Sequence, residues 1–174
     1  MDLSGPDATR VGPLTPTLHI RLATSDDAAA ISAVILVSAD KLTVHPDGRG
    51  AAEFLATLAP AAIDGCIRST RFRYWVGTID GVVAGLVAMR DYAHLFHLFV
   101  APAYQRQGLA AQLWAHTRAD ALAHADISAF TVNASLYAAP VYRAFGFQDT
   151  SQPVEVNGIA FIPMSLNMVS LERN

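Results

Sequence analysis

Leu18, Ile20 and Leu22 alternate with His19 and Arg21, the two-residue period of a strand with one buried face. Ser25 with Asp26 and Asp27 then supplies a cap and an acidic first turn, predicting a helix that runs to about Lys41. Thr43 to Arg49, with Pro46, Asp47 and Gly48, reads as a loop, and Ala51 to Leu58 as a helix interrupted by Pro60 and Gly65. Phe72 to Ile79 and Val82 to Met89 are apolar runs around Asp80 and Gly81, the pattern of a hairpin, in which Gly85 marks a bulge or a close backbone approach. His94 to Val100 makes the next strand. A helix from about Gly108 to His124 follows, with Leu109, Leu113, His116 and Leu122 toward one side. Ile127 to Val132 predicts a short strand, and Ala138 to Phe145 a short helix closed by Gly146, where a left-handed cap is common. Val154 and Val156, the turn at Asn157 and Gly158, and Ile159 to Leu166 form a closing hairpin, with Pro163 demoting part of its second arm to an edge. This order predicts an α/β fold, a mixed sheet covered by helices.

Composition narrows the picture. A chain of 174 residues, 52% hydrophobic and 16% charged, suits one compact domain. Met1 to Thr17 is rich in Gly and Pro with little to bury, so the expected boundaries are a tail over 1–17 and a domain over 18–174. A net charge of -3 without any basic block gives no electrostatic reason to bind nucleic acid or an anionic membrane. A small molecule or another protein is the expected partner. Cys66 is the only cysteine, which excludes an intramolecular disulfide and a cysteine-rich zinc site and fits a reducing cytoplasm. The N-terminal stretch has no signal-peptide pattern and no apolar run approaches a membrane span, so neither export nor insertion is expected.

The stretch that carries chemistry runs from Leu98, Phe99 and Val100 through Pro102 to Gln105, Arg106, Gln107, Gly108, Leu109, Ala110 and Ala111. It reads as strand, turn and helix, and a helix opening on glycine and small residues offers free amides and a positive dipole end to an anion, with Arg106 alongside. Gln105 to Ala110 resembles the acyl-CoA pyrophosphate loop of the GCN5-related N-acetyltransferase (GNAT) superfamily: Gln or Arg, two variable residues, Gly, one variable residue, then Gly or Ala. Asn133 to Phe147 resembles a second segment of that family, in which a polar residue caps a helix and a tyrosine two turns later points at the cofactor sulfur. The resemblance covers most of Leu18 to Leu166, with its specific motifs between His94 and Phe147. It implies the GNAT fold, a mostly antiparallel central sheet whose strands splay into a V-shaped slot beside the loop.

The resemblance further implies acetyl transfer from acetyl-CoA directly to an amine, with no metal and no acyl-enzyme. Backbone groups at Leu98, Phe99 and Val100 would hold the pantetheine arm, and residues 105–111 the diphosphate. Tyr142 is the implied general acid, since a phenol is protonated at neutral pH and can give its proton to a thiolate. The family's usual asparagine is replaced by Ser135, with Asn133 two residues earlier, so both are cofactor-side candidates. His94 is the candidate base: strand alternation sets it on the face of Leu98 and Val100 and turns His97, the second choice, away, unless a bulge intervenes. Val44, His45, Phe54 and Leu58 are possible acceptor contacts. The expected acceptor is a primary amine on a small molecule, the alternatives being a protein or peptide N-terminus or lysine, or a CoA-binding module without catalysis. An exposed closing strand that pairs across a dimer axis would make a homodimer.

Overall fold

The computed structural model describes residues 17–168; apart from Thr17, the expected tail lies outside them, as does the segment after Met168. Eight strands, β1 (His19–Leu22), β2 (Phe72–Ile79), β3 (Val82–Arg90), β4 (His94–Val100), β5 (Ala129–Ser135), β6 (Gln148–Asp149), β7 (Val154–Val156) and β8 (Ile159–Asn167), form one sheet. Its order is β1-β2-β3-β4-β5-β8-β6, with β7 also on β8. Every pairing is antiparallel except β4 with β5. Helices α1 (Ala28–Leu36), α2 (Ala52–Ala56), α3 (Pro60–Arg68), α4 (Leu109–His124) and α5 (Ala139–Ala144) cover it.

Two apolar layers hold the helices on. Leu113 and Trp114 of α4 and Tyr142 of α5 pack with Val87, Met89, Leu95, Phe130 and Val132. Ile31 and Ile35 of α1 and Ile63 of α3 pack with Tyr74, Val76, Leu86 and Ala88. These are opposite faces of β3, since successive strand residues point to opposite sides. Buried Ser32 donates to Leu58 O at 2.6 Å and so pins the end of the α2 segment against α1.

Several local expectations are corrected. The cap before α1 is Thr24, whose amide donates to Asp27 Oδ2 at 2.8 Å, while the same carboxylate takes two bonds from Arg21 at 2.8 and 2.9 Å. That helix ends at Leu36 rather than near Lys41, because the bonds tighten to three-residue spacing from Ser38 N to Ile35 O at 3.0 Å onward. Pro60 opens α3 instead of breaking a helix, since its first position needs no donor, and Gly65 lies inside that helix. Leu22 and Leu122 face solvent. The buried stripe of α4 is Leu109, Leu113, Trp114, Thr117 and Ala121, and Leu122 is rotated past it. Strand β5 starts later and reaches Ser135, keeping Phe130, Val132 and Ala134 inward.

Pro163 and Gly85 show what the sequence signals meant in three dimensions. Strand β8 is bonded on both flanks, to β5 and to β6 and β7, so it offers no continuous free edge for pairing across a dimer axis. Pro163 sits where β6 and β7 part. Its carbonyl accepts from Thr150 N at 2.9 Å, and the missing N–H would face the same gap, so the ladder loses little. At Gly85 both expected features are present: the register slips between Gly77 and Thr78, and a Cβ on Gly85 would lie 2.9 Å from Phe99 O.

Candidate active site

Strands β4 and β5 pair only at His94 with Thr131 and Leu95 with Val132. Beyond that point Leu98 to Val100 stay on β3, Asn133 to Ser135 stay on β8, and the two strands part. A parallel pair with no further ladder leaves a slot whose walls carry free main-chain groups. A cavity opens on each side of it, one of about 600 Å³ against the 105–111 loop and one of about 370 Å³ against the α1–α2 side. Leu42, Leu98, Phe99, Ser135, Ala138 and Tyr142 line both.

The loop beside the larger cavity is built to present amides. Pro102 to Tyr104 make one tight turn, Gln105 Nε2 donates to Val100 O at 3.0 Å, and Gln107 Nε2 donates to Ala103 O at 3.3 Å. These bonds hold the loop while Arg106 at φ 60° and Gly108 at φ 79° turn the chain through the left-handed region. The first bond into α4 is Gln112 N to Gly108 O at 3.2 Å. Among the described residues no acceptor meets the amides of 106–111. A row of unpaired amides opens a 16-residue helix whose cap, Gly108, brings no side-chain acceptor. Gln105, Arg106, Gly108, Leu109, Ala110 and Ala111 line this cavity; Gln107 does not, and serves the loop. Lys41, the only lysine in the sequence, also lines it, its Nζ 4.6 Å from the centre of the Tyr137 ring. No carboxylate among the described residues lines either cavity. The arrangement fits a phosphate-bearing ligand.

Tyr142 is buried between the two cavities, its ring edge-on to Phe147 at 5.8 Å and to Phe145 at 6.3 Å. Burial pushes its phenol up from the ordinary value, so it is protonated at neutral pH. Its hydroxyl makes no hydrogen bond to a described residue. Ser135 Oγ accepts from Ala138 N at 3.2 Å and so sets the turn into α5 that carries Tyr142. Asn133 lines only the smaller cavity, away from the loop.

A bulge moves His94 off the expected face of Leu98 and Val100, while His97 stays opposite them as expected. The β3–β4 register pairs Arg90 with His94 and Met89 with Leu95, then skips Phe96 and pairs Ala88 with His97. Paired residues share a face, so His94, His97 and Phe99 lie on the side of Ala88 and Leu86, and Leu98 and Val100 on the other. Strand alternation without the bulge would group His94 with Leu98 and Val100 instead. Both histidines line the smaller cavity. His94 Nδ1 is 2.8 Å from Thr131 Oγ1, and burial first, then the Arg90 charge, lowers its pKa, which leaves a neutral imidazole at pH 7. His97 is enclosed, with Nδ1 3.0 Å from Tyr74 Oη, and desolvation pushes it down to about 3. Phe54 and Leu58 also line this cavity, while Val44 and His45 do not.

The sequence was compared with known families and structures. The family model for an acetyltransferase (GNAT) domain matches residues 42–168. The chain belongs to the GNAT family. It is an acetyltransferase. Solved structures agree in fold. A GCN5-related N-acetyltransferase from Rhodopseudomonas palustris is 23% identical over 90% of this chain and 100% of its own, with a TM-score of 0.74. A PaiA N-acetyltransferase from Thermoplasma acidophilum, in complex with coenzyme A, is 14% identical over 87% and 99%, with a TM-score of 0.69. The ribosomal-protein-S18-alanine N-acetyltransferase from Escherichia coli is 19% identical over 87% and 94%, with a TM-score of 0.64. A search of curated proteins gives no match. Within this GNAT domain, sequence reading did not mark Lys41, Tyr137, Arg90, Phe96 or Phe161 as lining residues. Only the lone lysine carried a signal; the others are ordinary strand or loop positions until the slot assembles.

Proposed function

We propose that this GNAT domain transfers an acetyl group from acetyl-CoA directly to a primary amine of a small molecule. The observation that carries it is the splay of β4 from β5, which opens a cavity lined by the unpaired amides of 106–111 on one side and a second cavity on the other, with the Tyr142 phenol between them. Acetyl-CoA supplies an acyl thioester when bound. The 106–111 amides and Arg106 hold its diphosphate, and the main chain at Leu98, Phe99 and Val100 holds its arm. Tyr142 Oη gives a proton to the departing thiolate, a role worth roughly 10²–10⁴ in rate for a placed acid. His94, neutral at pH 7, takes the amine's proton through water, since it stands at the end of the cavity away from Tyr142. Cys66 on α3 lines neither cavity, and burial raises its thiol pKa, which supports direct attack over an acyl-enzyme. One free cysteine suits a reducing compartment, and we assign the enzyme to the cytoplasm.

A small acceptor is favoured because the smaller cavity is clasped on one side. Thr43 bridges Ile159, Val44 N donates to Gly158 O at 2.8 Å, and a Cβ on Gly158 would lie 2.6 Å from Ala51 N. The β7–β8 hairpin is thereby locked to the segment before α2, leaving little room for an extended peptide.

The test is thiol release from acetyl-CoA with a panel of amines, beside calorimetry of CoA binding. Turnover is expected with at least one small amine. Tyr142→Phe should lose about 100-fold or more in kcat while CoA affinity changes less than about twofold. CoA binding without turnover of any small amine or peptide would make the domain a binding module, and no CoA binding would remove the assignment.

A further inference from the structure

We propose that the amine acceptor carries a carboxylate, recognised by Arg90, on an apolar or aromatic body. This rests on the reading of the smaller cavity as the acceptor side. Among the described residues Arg90 is the one arginine or lysine that lines this cavity, and no carboxylate lines it. The guanidinium makes no hydrogen bond to a described residue. Its nearest acid, Asp91, lies 4.0 Å away and is engaged by Arg71 through two bonds of 2.6 and 3.0 Å. An arginine spent on a structural ion pair would look different: Arg73 holds Asp120 through bonds of 2.6 and 2.8 Å, and Arg143 holds Asp149 through bonds of 3.0 and 2.7 Å. Arg90 thus lines the cavity with a fork of donors that no protein carboxylate occupies, the donor set suited to a bidentate carboxylate.

Position and lining agree with that assignment. Arg90 pairs across the sheet with His94 and lies 5.8 Å from the Phe96 ring, at the end of β4 farthest from where Leu98 and Phe99 enter the slot. An acceptor lying along β4 meets Arg90 at one end, the aromatic rings of Phe96, Phe99 and Phe161 along its length, and the Tyr142 slot at the other. A polycationic amine has the opposite requirement. It needs carboxylates to answer its second charge, and the lining provides a cation instead.

The test uses two matched pairs that differ by the carboxylate alone and keep it at the far end from the amine: 6-aminohexanoate with pentylamine, and para-aminomethylbenzoate with benzylamine. Spermidine is the cationic control. Initial rates of thiol release are measured, together with calorimetric binding of each N-acetylated product to the CoA-loaded enzyme. In at least one pair the acid should be preferred by roughly tenfold or more in kcat/KM, the scale of one charge-assisted contact. Arg90→Gln should reduce that ratio below about threefold, and Arg90→Lys should retain part of it. Preference for the partner lacking the carboxylate in both pairs, best turnover of spermidine, or an unchanged ratio in Arg90→Gln would overturn the proposal. If Arg90→Gln does not fold, the wild-type ratios and Arg90→Lys still decide. CoA binding with neither turnover of the acids nor binding of their acetylated products overturns this proposal and leaves the cofactor reading standing. Absence of CoA binding instead removes the underlying reading, and binding of the acetylated acids to wild type and Arg90→Gln still decides the role of Arg90.

Discussion

The two cavities that meet at Tyr142 are built in different ways. The larger takes its anion-facing wall from a continuous segment, Gln105 to Ala111, and uses main-chain amides exposed by one turn and one helix start. The smaller is assembled from the α1–α2 loop and α2, β3, a bulged β4, β5 and β8, and depends on which side chains those pieces happen to aim inward. A site made of backbone in one segment tolerates sequence change wherever the turn is kept. A site made of side chains from six segments can be altered one residue at a time.

Breaking the clasp should separate the two sides most sharply. Gly158→Ala places a Cβ against Gly50 and Ala51 at a positive φ of 74°, so a loss of about 1–3 kcal/mol in unfolding free energy is expected. In the amine assay KM should rise while CoA affinity is kept; denaturation curves and calorimetry read the two effects, and weakened CoA binding would show that the walls are coupled. Gly108→Ala is the converse. Its Cβ has open space, so only the left-handed φ of 79° is penalised, by about 1 kcal/mol. If the strained turn relaxes, CoA should bind about fivefold more weakly with amine KM unmoved.

Smaller effects sharpen the electrostatic side. Arg106 is exposed, so Arg106→Ala should weaken CoA by about two- to fivefold at low salt, and the difference should shrink as salt rises. A loss of about 100-fold or more in CoA affinity would mean that side-chain charge, not the amide row, dominates. The acid limb of kcat/KM tests the other wall. Because burial and Arg90 both lower the pKa of His94, the limb should fall below the ordinary histidine value near 6.5. Removing the Arg90 charge takes away one lowering cause, so the limb should move upward in Arg90→Gln; a downward move would contradict the assignment of His94 as base.

Much of the fold was legible because it follows local periodicity. The hairpin at Asp80 and Gly81, the strand from His94, the long helix behind Gly108 and the cap at Gly146 all stand where alternation, turn residues and glycine positions put them. The errors share a cause. Pro60 looks like a breaker and is a helix start, and Pro163 looks like an edge and sits inside the sheet at a gap between two short strands. In each case the residue's local constraint was read correctly, and its neighbour in space decided what the constraint meant.

The sequence by itself determined the amide-lined wall of the larger cavity, because a turn and a helix start expose their amides through local geometry alone. It also placed Tyr142 on the short helix after β5. Only the tertiary structure decided the lining of the smaller cavity. One skipped residue at Phe96 turns His94 to the side of His97, and Arg90 becomes an open cation only because Arg71 has taken Asp91. A bulge and a competition for one carboxylate are settled between strands, where no spacing along a single strand records them.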